Sequence, residues 1–292
     1  MEQPRIRPAR QAPPRLASSV LTAASSIVAL TLAAWGSGAF GGTPVQDAAG
    51  GYLSATATPV SPAGSAFSIW SAVYAGILGY AVWQLFPAAR HSHRQRAVRP
   101  WAAASMLLNA AWLWAAQIAD PAVALPATMV VMLVLLAVLC RLFALHLGTR
   151  HGSLAERILS DGTFGLYLGW ICVATAANAA ALIAFVLGIR PGDASPALPA
   201  GLAAGVVAVV VLAVAAGIGI ALARTRRWTP LIAMAWGLAW IAAARLGGPL
   251  TMPEVGVVAA AAGAVVLGAG VAVRLRSGQR RPVPPRTRQA HA

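Results

Sequence analysis

Three short stretches place aromatic rings and amides at helical spacing. In FSIWSAVY, residues 67 to 74, Phe67, Trp70 and Tyr74 recur at intervals of three and four. LLNAAWLW carries Asn109 and Trp112, and the stretch opening GLYLGWIC carries Tyr167, Trp170, Ala174 and Asn178. At about 100° per residue the last four fall within a sector of roughly 80°, so one helix face is aromatic at one end, small in the middle and amide-bearing beyond. The chemistry such faces suit is recognition: rings wall in a large flat apolar molecule and a few amides orient it. The competing reading is interfacial anchoring by an aromatic belt, strongest for Phe67 and Tyr167. Asn109 and Asn178 lie about 8 to 14 residues into apolar runs, where an amide must bond to a neighbouring helix or to a ligand.

Bond-making chemistry finds little support. His91 and His93 form an H-x-H between apolar runs, but arginines surround them and further ligands are missing, so no metal site is expected. There is no G-x-S-x-G, no phosphate-cradling glycine loop followed by Lys and no credible Cys-His pair, so no catalytic residue and no cofactor is assigned. Asp120, Asp161, Asp193 and Glu254 all stand at or beyond the ends of apolar runs, which disfavours ion-coupled transport. Arg245 and Glu254 flank the last outer loop and read as solvated. The small-xxx-small pairs Gly165/Gly169 and Gly201/Gly205 predict close helix packing.

The elements that carry these faces are membrane spans. Hydrophobic residues make up 59% of the 292 and charged residues 10%, with a mean hydropathy of +0.71, whereas soluble domains carry about 25% charged residues. A span needs about 20 apolar residues. Eight runs qualify, near 17–40, 66–87, 101–119, 122–147, 164–188, 200–222, 228–246 and 253–274. The expected fold is all-α, a polytopic membrane bundle of about eight helices. Asp120-Pro121 makes the third and fourth a tight hairpin.

The net charge of +15 resides in arginines clustered between runs, which indicates topology and not nucleic acid. If those clusters are cytoplasmic, all but Arg190 and Arg245 lie on one side and both termini are cytoplasmic, as in a bacterial-type inner membrane. The tails, 1–16 and 277–292, are Pro- and Arg-rich and are expected to be disordered and drawn, with the Arg-rich loops, to anionic lipid. Cys140 and Cys172 lie within apolar runs, so no disulfide is expected. Residues 41–65, with three prolines and five glycines, form an outer loop long enough to be a structured lid.

SPAGSAFSIWSAVYAGILGYAVWQ (61 to 84), LLNAAWLWAA (107 to 116) and FGLYLGWICVATAANAAAL (164 to 182) together resemble the TspO/MBR family, the tryptophan-rich sensory proteins related to the mitochondrial translocator protein. The W-x-x-x-Y, N-x-x-W and Y-x-x-W-x-x-x-A-x-x-x-N patterns occur in the family's order and helices. The resemblance covers residues 17–190 as a five-helix unit and leaves helices 200–274 as three additional spans. It implies a cavity that binds porphyrins or similar lipophiles, with Trp70, Tyr74, Asn109, Trp112, Trp170, Ala174 and Asn178 as ligand contacts. It also implies a role in sensing, regulation or handling of that compound, and a homodimer is left open. The family's W-x-P-P before the second helix is here TPVSPAG, without the Trp. By helix rise alone Trp70 and Trp170 stand about 14 Å apart in depth. An uncoupled transporter of a lipophile and an oxidative porphyrin-degrading enzyme are the alternatives.

Overall fold

The computed structural model of the chain describes residues 16–38, 40–41, 43–149, 152–191 and 198–278; of the basic tails, residues 1–15 and 279–292 fall outside this range, and Leu16, Ser277 and Gly278 are helical. Eight long helices follow one another: α1 (Leu16–Gly36), α2 (Ile69–Trp83), α3 (His93–Ala116), α4 (Pro121–Leu147), α5 (Thr163–Val186), α6 (Leu198–Ala223), α7 (Trp228–Gly247) and α8 (Pro253–Gly278). Among the described residues there is no strand. Seven helical segments are long and apolar enough to cross a membrane. The remaining helix, α3, falls short of that apolarity because its first turns carry Arg94, Arg96 and Arg99. This is an all-α polytopic membrane bundle.

Local chemistry sets the helix starts. Asp120 caps α4 by accepting from the Ala122 amide at 2.9 Å, and Pro121 occupies the first helical position, where its missing N–H costs nothing. Ser92 caps α3 by accepting from the Gln95 amide at 3.2 Å. That cap moves the start of α3 eight residues ahead of the apolar run expected at 101, into a stretch in which Arg94, Gln95 and Arg99 are buried. Ahead of α5, Ser153 caps a short turn, and residues Arg157–Gly162 then form a π-helical turn that runs straight into the span.

The chain divides into two compact units. The first comprises the residues up to Ala49 together with Trp70–Phe164, in which α3 packs against both α1 and α4. Its α2 meets the start of α5 at two glycines, since a Cβ on Gly79 would stand 2.8 Å from Leu159 and one on Gly76 would strike Thr163. The second unit comprises Gly50–Ile69 and the residues from Gly165 onward, in which α8 packs against α6 and α7. Its core gathers Val173 of α5, Leu212 of α6, Met234 and Leu238 of α7 and Val266 of α8, together with Val60 from the long loop.

The glycine pairs behave differently. In the second unit, Gly169 lies against the Pro230 carbonyl and Gly165 against Thr229, so α5 and α7 approach closely where any Cβ would intrude. Gly205 faces open space and Gly201 lies among residues whose side chains are not described, so the second pair gives no close contact at Gly205. A small residue on a lipid-facing position produces the same spacing as one at an interface.

Candidate functional site

In the second unit the loop is a strap laid along α7. Arg245, in the last turn of α7, donates from Nη2 to the carbonyl of Ala55, and to that of Ser61 at 3.4 Å. One and a half turns lower, the Ala63 amide donates to the Trp240 carbonyl at 3.2 Å. A further turn down, Trp236 Nε1 donates to the Ala66 carbonyl at 2.9 Å. Successive strap residues thus bond to successively deeper positions of α7. Between these bonds Val60, Ala57 and Thr58 are buried, and Thr58 and Ser61 hydroxyls pair at 2.9 Å. Tyr52 packs edge-on against Phe185 with centroids 5.5 Å apart.

The strap ends in the turn Gly64–Ser68, and Phe67 stands edge-on to Trp170, centroids 5.6 Å apart. Trp170 is buried, as are Tyr167 and Asn178 on the same face of α5, whereas Ala174 is half-buried between them. Trp236 and Trp240 form a second edge-to-face pair at 5.6 Å. The second unit therefore holds four of the expected aromatic and amide positions, with Phe67 brought to Trp170. Helix rise from the ends of the spans did not anticipate that contact, because it assumes a loop that stays outside, and this one descends along α7.

The first unit holds the other expected residues. Trp70 stacks on Tyr74 with centroids 5.0 Å apart and planes 30° from parallel. Asn109 Nδ2 donates to Tyr74 Oη at 3.2 Å, so α2 and α3 are joined by the two polar groups read as ligand contacts. Trp112 is half-buried one turn further along α3. A groove between Ala29 and Ala33 of α1, Tyr74 and Ile77 of α2, and Met106 and Asn109 of α3 encloses about 10 Å³. That is room for one water-sized group, so a flat lipophile enters here only if the helices part.

The first unit also contains a buried polar network that the sequence reading missed. Arg94 Nη2 donates to Asp161 Oδ1 at 2.5 Å, Nη1 lies 3.2 Å from Glu156 Oε1, and Nε donates to Thr149 Oγ1 at 2.7 Å. Gln95 donates to Glu156 at 2.7 Å and to Ser160 at 3.3 Å, and receives a bond from Gln84 at 3.1 Å. Arg99 donates to Gln84 at 2.8 Å, to the Ala89 carbonyl at 2.7 Å and to Ser18 at 3.1 Å. His146 belongs to the last turn of α4, is buried, and lies 3.0 Å from Ser160 Oγ through Nε2.

The π-helical turn makes this arrangement possible. On an α-helix Asp161 would stand about 140° around from Glu156, but the wider turn returns position i+5 toward position i. Both carboxylates can then face Arg94. Two guanidinium groups and two carboxylates, each buried, balance in charge, which is the condition for keeping ions out of water. The clue lay in residue types: Gln84, Gln95, Glu156 and Ser160 are polar without forming part of any tail. Arg94 and Arg99, counted for topology, are internal. Arg245 is corrected likewise: it is 1% exposed and bonded to the strap, whereas Glu254 is exposed. Among the described residues no cluster of His, Cys, Asp and Glu is arranged to hold a metal ion.

The chain matches the model of a family described as TSPO-like protein over residues 19–273. No curated protein and no solved structure matches it. The match runs through all eight long helices, so α6 to α8, for which the five-helix resemblance offered no counterpart, lie within the matched region. With seven apolar segments long enough to span a bilayer and this match, the chain is a multi-pass membrane protein that belongs to the TSPO-like protein family.

Proposed function

We propose that the protein binds a tetrapyrrole or a similar flat lipophile within the membrane and acts in its sensing, regulation or handling. The observation that carries this reading is the Phe67 and Trp170 pair, a strap ring set against a buried span ring, with Asn178 two turns along the same helix face. Flat apolar ligands are held by such aromatic surfaces with a few placed polar groups. In this reading Trp170, Ala174 and Asn178 serve as contacts in the second unit, and Trp70, Tyr74, Asn109 and Trp112 offer a similar surface in the first. The proposal places the protein in a bacterial-type inner membrane with both termini cytoplasmic and its Arg-rich loops and tails against anionic lipid.

The test is equilibrium binding of protoporphyrin to the purified protein in nanodiscs, followed in the dark through its Soret band. Saturable binding with the band intact supports the proposal, and absence of saturable binding contradicts it. Loss of the band under light and oxygen would assign porphyrin degradation. Gradient-independent flux in proteoliposomes would assign uncoupled transport.

A further inference from the structure

Arg245 has more hydrogen-bonding capacity than its surroundings use. The residue is 1% exposed, yet among the described residues Nε and Nη1 have no partner, and Nη2 alone reaches the strap carbonyls of Ala55 and Ser61. Among the described residues no carboxylate pairs with it. The C-terminal end of α7 and two carbonyl dipoles offset part of the charge, but a guanidinium carries five N–H donors and cannot deprotonate in a protein. Burying such a cation without a counter-charge is costly, and the usual remedy is an anion. A carboxylate suits the position, because it takes paired N–H donors in a fork. Its carrier must also tolerate the Trp240 and Trp236 rings, which stand about one and a half and two and a half turns below on α7.

We propose that Arg245 is a carboxylate-binding site, and that it takes an acidic side chain of the flat lipophile while the strap yields its weaker bond at Ser61. This rests on the tetrapyrrole reading, and it names the part of such a ligand that the strap and α7 select: a ring-borne carboxylate, not the ring alone. It also gives α7 a role in recognition. The exchange needs no new charge in the protein, since one carbonyl contact is traded for a charge-assisted bond.

The experiment compares protoporphyrin with its dimethyl ester, which keeps the ring and removes both charges. Binding of each to wild type, Arg245→Gln and Arg245→Lys is measured in nanodiscs of neutral lipid. Comparing the acid-to-ester affinity ratio between proteins cancels the difference in membrane partitioning. The ratio is expected to fall by about ten- to a hundredfold in Arg245→Gln, with part restored in Arg245→Lys. Equal ratios in all three proteins overturn the carboxylate site while leaving the tetrapyrrole reading in place. Failure of wild type to bind either compound overturns both. If Arg245→Gln does not fold, Arg245→Lys carries the decision: a ratio below that of wild type supports the carboxylate site, and an unchanged ratio, whether or not acid and ester binding fall together, overturns the proposal.

Discussion

Phe67 stands edge-on to Trp170 with ring centroids 5.6 Å apart and planes at 72°. Phe67 ends a strap bonded along α7 at Arg245, Trp240 and Trp236, so a contact made by α5 depends on a helix near the other end of the chain. The C-terminal helices thereby position the segment that leads into the second span.

Loosening the strap should be visible without any ligand. Trp236→Phe removes the bond to the Ala66 carbonyl and keeps an aromatic ring, smaller than the indole, in its place. Backbone amides between Ala55 and Ala66 are expected to exchange hydrogen about fivefold faster, corresponding to one lost bond of about 1 kcal/mol. Amides in α8 should be unchanged, as read by exchange mass spectrometry.

The close approach of α5 to α7 predicts a contrast between two glycines. Gly169→Ala puts a Cβ into the Pro230 carbonyl and is expected to cost about 1–3 kcal/mol, seen as a lower Tm in detergent. Gly205→Ala meets nothing and gains the better helix former, so its Tm should equal or exceed that of wild type.

Much of this architecture was legible in the sequence. Periodic apolar runs located all eight helices, because length and hydropathy suffice for a span, and Asp120-Pro121 marked a helix start by its capping chemistry. The stripe from Tyr167 to Asn178 was legible because helical spacing fixes a face. Two features were not. The Arg94 network depends on a π-helical turn that no periodicity announces, and its arginines look the same in sequence as solvated ones. The strap's depth depends on where Arg245, Trp240 and Trp236 of α7 find carbonyls and an amide, a pairing across 170 to 190 residues. Gly205 illustrates the limit of spacing alone, since Gly165 and Gly169 share its pattern and do pack closely.

The buried network predicts asymmetric mutational costs. Asp161→Asn leaves Arg94 facing a single carboxylate, and Arg94→Ala removes the guanidinium that faces both Glu156 and Asp161; each is expected to destabilise by about 3–5 kcal/mol. The double variant should cost less than the sum of the two, which a double-mutant cycle of unfolding in detergent measures. Additive costs would mean that the 2.5 Å contact contributes no coupling.

The Asn109 bond to Tyr74 predicts a smaller effect. Tyr74→Phe leaves a buried amide without its acceptor and should destabilise by about 1–3 kcal/mol. Asn109→Leu together with Tyr74→Phe removes both polar groups and should recover part of that loss.

The most direct test of the central claim is a protoporphyrin titration read by tryptophan quenching, with Trp170→Phe and Phe67→Leu beside wild type in nanodiscs. The account predicts saturable binding that weakens about five- to thirtyfold in each variant, or roughly 1–2 kcal/mol. Binding that is absent in wild type, or indifferent to both substitutions, would contradict it.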